Sequence, residues 1–398
     1  MSLLKNRSLI AATFGHFSVD MYSGMLPLIL LALTDKLSLS YAQVGLASMC
    51  YSLTSSISQP FFGWFGDHRG RRPMAVIGVA AIATTVGVMR FVDSFTWLVI
   101  LALIAGIGSA AFHPQGATLA AQTPPKERGT AASIFMLGGN SGYAFGPLFG
   151  SAIFALAGGF LPETLAFLGL AQAILVFILL AENQRRFNDA SGGKVMAATV
   201  MAPVSLIMTL TLVIFFRSWV SSSVSTYVPQ VFKSFGYTDG DTGKILFSIL
   251  LPLALGGLVG GTLSDRIGRR RVLIISTALS GPALWALMQT TGPLAYVWAI
   301  ILGLAQGASF PVTLVMAQSL IPRGLGLMSG VVLGFTFVAG AVGQGVTGFG
   351  ADQIGLVPMM IVNAGLVVLA AVLAWFLPDD RPARDAADQL SSVPTQAE

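Results

Sequence analysis

Charged residues are scarce in this sequence, since Lys, Arg, Asp and Glu together make up 10% of its 398 residues while 54% are hydrophobic. A soluble domain carries roughly a quarter charged residues, so a water-soluble fold is excluded. Cysteine is almost missing as well, and Cys50, the single copy, gives no information on the redox compartment. The sequence also lacks phosphate-binding loops, nucleophile elbows, HExxH motifs and paired-cysteine metal spacings. Primary ATP-driven transport and enzymatic catalysis therefore lack the residues that they need.

What the sequence has instead is a series of long apolar runs. A hydrocarbon core of about 30 Å is crossed by roughly 20 helical residues, and runs of this length recur along the whole chain. They are continuously apolar rather than alternating, which indicates helices and not a β-barrel. We predict twelve transmembrane helices over residues 8–33, 41–66, 73–91, 95–121, 129–158, 162–181, 201–230, 241–264, 271–290, 293–320, 325–350 and 354–377.

Basic residues are distributed unevenly between the two sides of such a bundle. Seventeen Lys and Arg residues fall on the side of the chain termini, whereas four fall on the opposite side, namely Lys36, Arg90, Lys233 and Lys244. The positive-inside rule then predicts a multi-pass protein of the bacterial inner membrane with both termini cytoplasmic. The net charge of +5 is accordingly a topology signal and not a nucleic-acid footprint.

One loop sequence occurs twice. Residues 63–72 read GWFGDHRGRR, and residues 261–270, which come 198 positions later, read GTLSDRIGRR. Because this offset is half the chain, we predict two related six-helix bundles over residues 1–181 and 201–378. The polar stretch 182–200 is predicted to be a cytoplasmic linker, and 379–398 a cytoplasmic tail.

The repeated pattern G-x-x-x-D-x-x-G-R-R resembles the signature loop of the major facilitator superfamily. This resemblance implies an all-α membrane protein with the major facilitator fold, in which twelve transmembrane helices form two pseudo-symmetric six-helix bundles. It also implies that the loop is a latch for one conformational state, in which a carboxylate and an arginine pair lock neighbouring helices. The implied latch residues are Gly63, Asp67, Gly70, Arg71 and Arg72 in the first copy, and Gly261, Asp265, Gly268, Arg269 and Arg270 in the second.

A finer resemblance covers most of the chain. The runs GHFSVDMY (15–22), FHPQGATLAA (112–121), SIFMLGGNSGYAFGPLFG (133–150) and AQSLIPRGLGLMSG (317–330) resemble the fosmidomycin-resistance branch, whose members exchange drugs for protons. Gln115 and Thr118 depart from this branch, which has an acidic and a basic residue there. The fifth span also resembles the glycine-proline motif of proton antiporters, with Gly142, Gly146, Pro147 and Gly150.

Four ionisable side chains lie well inside the predicted spans, namely His16, Asp20, His113 and Arg217. Each costs about 3 kcal/mol at the centre of a membrane helix, so each needs a cavity or a partner. Our hypothesis is that Asp20 carries the coupling proton, tuned by His16 one turn away and by Arg217 across a central cavity. The alternative is a permanent salt bridge between Asp20 and Arg217 that only holds the two halves in register.

Candidate substrate-binding residues follow from charge and polarity. Arg217 could bind an anionic solute with its planar guanidinium, and His113, which precedes a proline, either faces the cavity or bonds a neighbouring helix. Further candidates for the cavity wall are polar residues within spans, although such residues often bond a neighbouring helix instead: Tyr22, Gln59, Gln115, Asn140, Tyr227 and Gln344. A metal site built from His16, Asp20 and His113 lacks Cys or Glu ligands, so we expect no metal, and no cofactor besides the coupling proton.

These interpretations favour a proton-coupled secondary transporter, namely a drug/proton antiporter that exports a small anionic or amphipathic compound by alternating access. A proton-coupled importer of an organic anion or sugar is the alternative transporter. A non-transporting membrane receptor or scaffold is the alternative of another class, and it predicts unchanged solute flux in Asp20→Asn and Arg217→Ala. The expected partners are a small-molecule substrate, protons and membrane lipids, and we expect a monomer that does not bind nucleic acid.

Overall fold

The computed structural model of the chain describes residues 5–123, 127–156, 162–180, 203–320 and 325–378. This part of the chain is helical, with thirteen α-helices and a short 3₁₀ turn at Met89–Phe91. The helices are α1 Arg7–Leu37, α2 Tyr41–Ile57, α3 Gln59–Arg69, α4 Arg71–Val88, α5 Phe95–Ala120, α6 Arg128–Leu156, α7 Pro162–Leu179, α8 Val204–Ser234, α9 Asp239–Ile267, α10 Arg269–Leu287, α11 Pro293–Leu320, α12 Leu325–Ile354 and α13 Leu356–Ala374.

Thirteen helices correspond to twelve spans because the second span is interrupted. Helix α2 ends at Ile57 and α3 begins at Gln59, with Ser58 between them and Pro60 in the first turn of α3. Proline has no N–H, so it cannot continue the hydrogen-bond ladder of the preceding helix, but it fits the first turn of a new one. The predicted count of twelve spans is thereby confirmed, and the break at Ser58 is a feature that the prediction did not contain.

The fold is an all-α membrane fold made of two pseudo-symmetric bundles. Helices α1–α7 form the N-terminal half and α8–α13 form the C-terminal half. The symmetry extends to the repeated loops, where Gly70 has φ 101° and Gly268 has φ 96° at the start of α4 and α10. Glycine adopts this region without a steric penalty, which allows both loops to turn sharply. The predicted linker 182–200 and tail 379–398 lie outside the described residues.

The membrane side on which α1 begins is called the terminal side here, and the opposite side is called the distal side. The two halves contact each other mainly through α2 with α12 and α6 with α9. On the distal side, the Tyr227 hydroxyl donates to the carbonyl oxygens of Tyr41 at 3.1 Å and Gln344 at 2.8 Å. The Asp352 carboxylate accepts hydrogen bonds from the N–H groups of Tyr41 at 2.8 Å and Ala42 at 3.0 Å. These contacts join the halves at the distal side, and we call them the distal closure.

Candidate functional site

Three ionisable side chains meet inside the N-terminal half. Asp20 of α1 places Oδ2 3.2 Å from Nε2 of His16, one turn earlier, and Oδ1 3.2 Å from Nε2 of His113 on α5. The two imidazole rings are perpendicular, with centroids 5.1 Å apart. We call His16, Asp20 and His113 the triad. The structure thus brings together three of the four charges that lie deep in the predicted spans.

Backbone carbonyl groups fix the orientation of both imidazoles. Nδ1 of His16 lies 2.8 Å from the carbonyl oxygen of Phe135 on α6, and the phenyl ring stacks on the imidazole with centroids 4.1 Å apart. Nδ1 of His113 lies 2.8 Å from the carbonyl oxygen of Ser109, one turn earlier on α5. Both histidines therefore direct Nε2 at the carboxylate of Asp20.

Helix α6 approaches the triad closely at Gly139. A Cβ atom at this position would lie 2.4 Å from Nε2 of His16 and 2.7 Å from Oδ2 of Asp20. Real Cβ contacts are never this short, so no larger residue fits beside the triad in this arrangement. Gly139 and Phe135 were not predicted as site residues, because an apolar residue in an apolar span gives no signal of its neighbours. The only hint was their position in the run 133–150 that resembles the efflux branch.

The geometry of the triad determines how many protons its contacts require. A backbone carbonyl oxygen only accepts, so Nδ1 of each histidine carries a hydrogen. Each contact between Nε2 and a carboxyl oxygen is attractive only if a hydrogen lies on one of its two atoms. With both contacts made, the triad holds two shared protons and a net charge of one positive unit. If one proton is lost, a lone pair on Nε2 of one histidine faces a lone pair on an oxygen of Asp20. The contact between these two atoms must then open.

The triad also offers a donor set for a metal ion. One ligand atom from each of His16, Asp20 and His113 lies within 4.8 Å of the others. Imidazole nitrogen and carboxylate oxygen suit zinc and related first-row metals. Protons satisfy the two 3.2 Å contacts with no further ligand, whereas a metal ion requires at least one more. The absence of a resident metal therefore stays a prediction.

Arg217 lies in the other half and does not pair with Asp20, in contrast to the hypothesis of a charge pair across the cavity. One guanidinium N–H donates to Oγ of Ser218 at 3.2 Å, and the guanidinium carbon lies 5.3 Å from the centroid of the Phe310 ring. The side chain is 4% exposed. Asp20 is reached first by His113 because α1 and α5 pack within the same bundle. Arg217 therefore remains a buried cation without a carboxylate partner among the described residues.

Three of the polar candidates form contacts between helices and are buried in this conformation. Tyr22 donates to the carbonyl oxygen of Leu165 on α7 at 3.0 Å, and Gln115 donates to that of Phe62 on α3 at 2.6 Å. Tyr227 belongs to the distal closure. All three are at most 1% exposed. This placement differs from the predicted cavity wall and corresponds to the alternative, in which such residues bond a neighbouring helix.

The remaining polar candidates either lie at the interface between the halves or are at least partly exposed. Gln344 bridges the halves, since it accepts from Ser52 at 3.2 Å and donates to Thr226 at 2.9 Å. Gln59 is half-buried at the first residue of α3. Asn140 is exposed, and it shares a face of α6 with Pro147, which approaches Gly243 of α9 in the other half. Asn140 therefore lies on the side of α6 that approaches the other half, and its role in lining a cavity stays a prediction.

Both copies of the predicted latch contact the last helix of their own bundle. In the first loop, Asp67 and Arg71 form an ion pair at 2.5 Å. Arg72 then donates to the carbonyl oxygen of Phe177 at 2.9 Å and stacks on its ring, with the guanidinium carbon 3.8 Å from the centroid.

The second loop repeats the outer contact 198 positions later. Arg270 donates to the carbonyl oxygen of Trp375, and its guanidinium carbon lies 5.3 Å from the centroid of the indole ring. Gly63 and Gly261 have no close neighbours that would exclude a side chain. The pseudo-symmetry therefore includes a stacked arginine in each half, and the role of both loops as a latch, including Asp265 and Arg269, stays a prediction.

The glycine-proline motif of α6 packs directly on α1. A Cβ atom at Gly142 would lie 2.1 Å from the carbonyl oxygen of Phe17, and one at Gly146 would lie 2.5 Å from that of Met21. Gly150 has only ordinary contacts. Small residues let two membrane helices approach closely. This close approach is what places Gly139 and Phe135 of α6 against the triad on α1.

The fold and the triad together define a class of protein, namely a polytopic helical membrane protein with two related bundles and a protonatable cluster inside one of them. A model of the Major Facilitator Superfamily matches residues 9–238 and 210–397. The chain belongs to this superfamily of membrane-embedded, multi-span transporters. Its resemblance to the fosmidomycin-resistance branch is supported by a curated relative.

Two curated bacterial proteins are similar over almost the whole chain. The uncharacterized MFS-type transporter YfnC of Bacillus subtilis (strain 168) is 32% identical, with 93% of this chain and 92% of the relative covered. The fosmidomycin resistance protein of Escherichia coli (strain K12) is 30% identical over the same shares of both chains. Among solved structures, a bacterial homolog of the human lysosomal transporter Spinster, in an inward-facing and occupied conformation, matches with a TM-score of 0.77. That match covers 92% of this chain and 95% of the other at 17% identity, so it shows the fold alone.

Proposed function

We propose that the protein is a proton-coupled secondary transporter that exports a small anionic or amphipathic compound, such as a fosmidomycin-like antibiotic, in exchange for protons. The observation that carries this proposal is the triad, in which a membrane-embedded carboxylate lies 3.2 Å from the Nε2 atoms of two imidazoles. Ionisable groups at this depth are retained for proton relays and substrate pathways. Drug export is supported by the 30% identity to the fosmidomycin resistance protein.

The triad is partly exposed, as proton exchange requires. The side chains of Asp20 and His113 are 19% and 24% exposed, whereas that of His16 is 6% exposed. Because the distal closure joins the halves on one side, we infer that protons and substrate reach the triad from the terminal side in this conformation. The excess of basic residues indicates that the terminal side is cytoplasmic. Rocking of the halves would then expose the triad to the distal side.

One observation favours a second candidate, namely proton-coupled import of an organic anion. The doubly protonated triad carries one positive charge, and Arg217 adds another that no carboxylate among the described residues neutralises. Two positive charges near the transport path would favour binding of the anion and the proton together. In antiport, by contrast, the substrate must displace a proton, for example by donating a hydrogen bond to Asp20.

Transport in proteoliposomes with a trapped pH dye tests the proposal. Fosmidomycin and a panel of organic anions are added to wild type, to Asp20→Asn, and to Asp93→Asn, which changes an exposed carboxylate outside the triad. We expect proton movement that depends on the substrate in wild type and in Asp93→Asn, and its loss in Asp20→Asn. The sign of the dye response separates antiport from symport. Unchanged proton movement in Asp20→Asn would exclude Asp20 as the proton carrier.

A further inference from the structure

Two polar side chains in the C-terminal half are buried while some of their polar atoms have no hydrogen-bond partner. Arg217 is 4% exposed and Gln306 is 3% exposed. Among the described residues, Nε of Arg217 and both Nε2 and Oε1 of Gln306 have no partner. Arg217 was predicted as a site residue from its charge, whereas Gln306 was not, because one amide in a span more often bonds a neighbouring helix.

The two side chains lie at a similar depth in the bundle. Arg217 comes thirteen residues after Val204, the first residue of α8, and Gln306 comes thirteen residues after Pro293, the first residue of α11. At 1.5 Å per residue, each lies roughly 20 Å from a helix end and so near the midplane of the bilayer. Phe310 connects them, since it follows Gln306 by one turn on the same face of α11 and contacts the guanidinium of Arg217.

Arg217, Gln306 and Phe310 are called the C-half cluster below. Burying a polar atom without a hydrogen-bond partner costs free energy, and burying a cation without a counter-charge costs more. The ring of Phe310 interacts with the guanidinium through its face, but it provides no hydrogen-bond acceptor for Nε. A ligand that supplies the missing partners would remove these costs, and its chemistry can be derived from the atoms that lack partners.

The unpartnered atoms require both an anion and a hydrogen-bond donor. A guanidinium only donates and keeps its charge at every physiological pH, so its free Nε selects an acceptor with negative charge, and its planar fork suits an oxyanion. The Nε2 atom of Gln306 also donates, whereas its Oε1 atom only accepts. A simple oxyanion leaves Oε1 unpartnered, but an oxyanion with a neighbouring hydroxyl or amino group satisfies all three atoms.

We propose that the C-half cluster is the substrate subsite for a small oxyanion, such as a phosphonate or carboxylate, that carries a hydroxyl or amino group close to the anionic head. Arg217 binds the oxyanion, Nε2 of Gln306 donates to the same head group, and Oε1 accepts from the hydroxyl or amino group. Gln306 thereby determines specificity, because it separates hydroxylated anions from plain ones. This inference deepens the proposed function, and it rests on that function only in treating the bound anion as the transported substrate.

Isothermal titration calorimetry on the purified full-length protein in detergent tests the subsite without any gradient. The matched probes are 2-hydroxyethylphosphonate and ethylphosphonate, which differ by one hydroxyl group. We expect wild type to bind the hydroxylated probe about tenfold more tightly, which corresponds to one hydrogen bond to a buried partner. Gln306→Leu should bind the two probes equally, and Arg217→Gln should weaken both by at least about tenfold.

Two further variants control for loss of folding. Gln172→Leu is the matched control, because Gln172 of α7 is 8% exposed and its Oε1 also lacks a partner, but it lies in the other half. It should keep the wild-type preference. Gln306→Glu places a carboxylate near Arg217, so it should raise the melting temperature and abolish binding of both probes.

Three results would overturn the subsite. They are equal binding of the two probes by wild type, a preference that survives in Gln306→Leu, and no binding of either probe by folded wild type at millimolar concentration. Failure of the proposed function is distinguishable from these results, because it is read as proton movement in liposomes. A preserved probe preference without substrate-driven proton movement would contradict proton coupling and leave the subsite intact.

Discussion

The carboxylate of Asp352 caps a helix in the opposite half of the molecule, and this contact leads to a quantitative prediction. In the first turn of α2, Ser40 Oγ accepts from the N–H of Gln43 at 3.3 Å, and the Gln43 side chain accepts from the N–H of Ser40 at 3.0 Å. This capping box leaves the N–H groups of Tyr41 and Ala42 without a local partner. Asp352, at the end of α12, accepts from both, at 2.8 and 3.0 Å. These two donors keep this partner only while the halves are joined on the distal side.

Asp352→Ala removes both hydrogen bonds and a negative charge at a helix N-terminus. Loss of a capping side chain costs about 0.5–2 kcal/mol, and loss of a carboxylate at this end of the helix dipole costs about 0.3–1 kcal/mol at an exposed site. We therefore expect the closed distal side to be destabilised by about 1–2 kcal/mol, which shifts the equilibrium towards distal opening by about five- to thirtyfold. Asp352→Asn keeps one acceptor oxygen, so its shift should be smaller.

Spin-label distance measurements can follow this equilibrium directly. Phe91 and Gln289 are exposed on the distal side of opposite halves, and they are 198 residues apart, as the repeat requires. Labels attached to cysteines at these positions, in a Cys50→Ser background, should show one short distance when the distal side is closed. A second, longer distance should grow in Asp352→Ala, and less so in Asp352→Asn.

Asp241→Ala is the matched control for this measurement. Asp241, near the start of α9, bonds Thr238 and Lys244 of its own half. Asp241→Ala should therefore leave the distance distribution unchanged. If Asp352→Ala also leaves the distribution unchanged, the cap between the halves does not contribute to the closed state.

Two further predictions follow from the packing. Gly139→Ala places a methyl group within 2.7 Å of atoms of the triad, so it should lower proton movement in proteoliposomes at least about tenfold. Gly129→Ala is the control and should have no effect, because Gly129 has open space around it. Equal rates in both variants would show that α6 does not position the triad. Arg72→Lys removes a guanidinium stacked 3.8 Å from the Phe177 ring centroid, so it should destabilise the protein by about 1 kcal/mol. The melting temperature should fall relative to Arg69→Lys, a change at an exposed position.

Much of the fold was predictable because the bilayer imposes simple rules on the sequence. A span needs about 20 apolar residues, so twelve spans could be counted directly. The interruption at Ser58 was not predicted, although Pro60 provided a signal for it. The repeated loop at an offset of 198 residues predicted two related bundles, and the same offset relates the stacked arginines Arg72 and Arg270.

The candidate site was predictable only in part. His16, Asp20 and Arg217 stood out because charges are costly in a span, and the spacing of four residues placed His16 beside Asp20. The second partner of Asp20 was predicted to be Arg217 and is His113 in the structure. Gln306 has no sequence signal, since a buried amide is informative only once its lack of partners is known.

The sequence by itself determined that the chain is an all-helical membrane protein with twelve spans and two related halves. The bilayer requires an apolar segment of about 20 residues at every span, and the repeated loop marks the two halves. Only the tertiary structure decided which side chains meet. A helix presents several faces, and whether His113 or Arg217 reaches Asp20 depends on how α1, α5 and α8 pack. Hydrogen bonds require atoms to lie within about 3 Å of each other, and such positions arise only from close packing, as where the glycines of α6 contact α1.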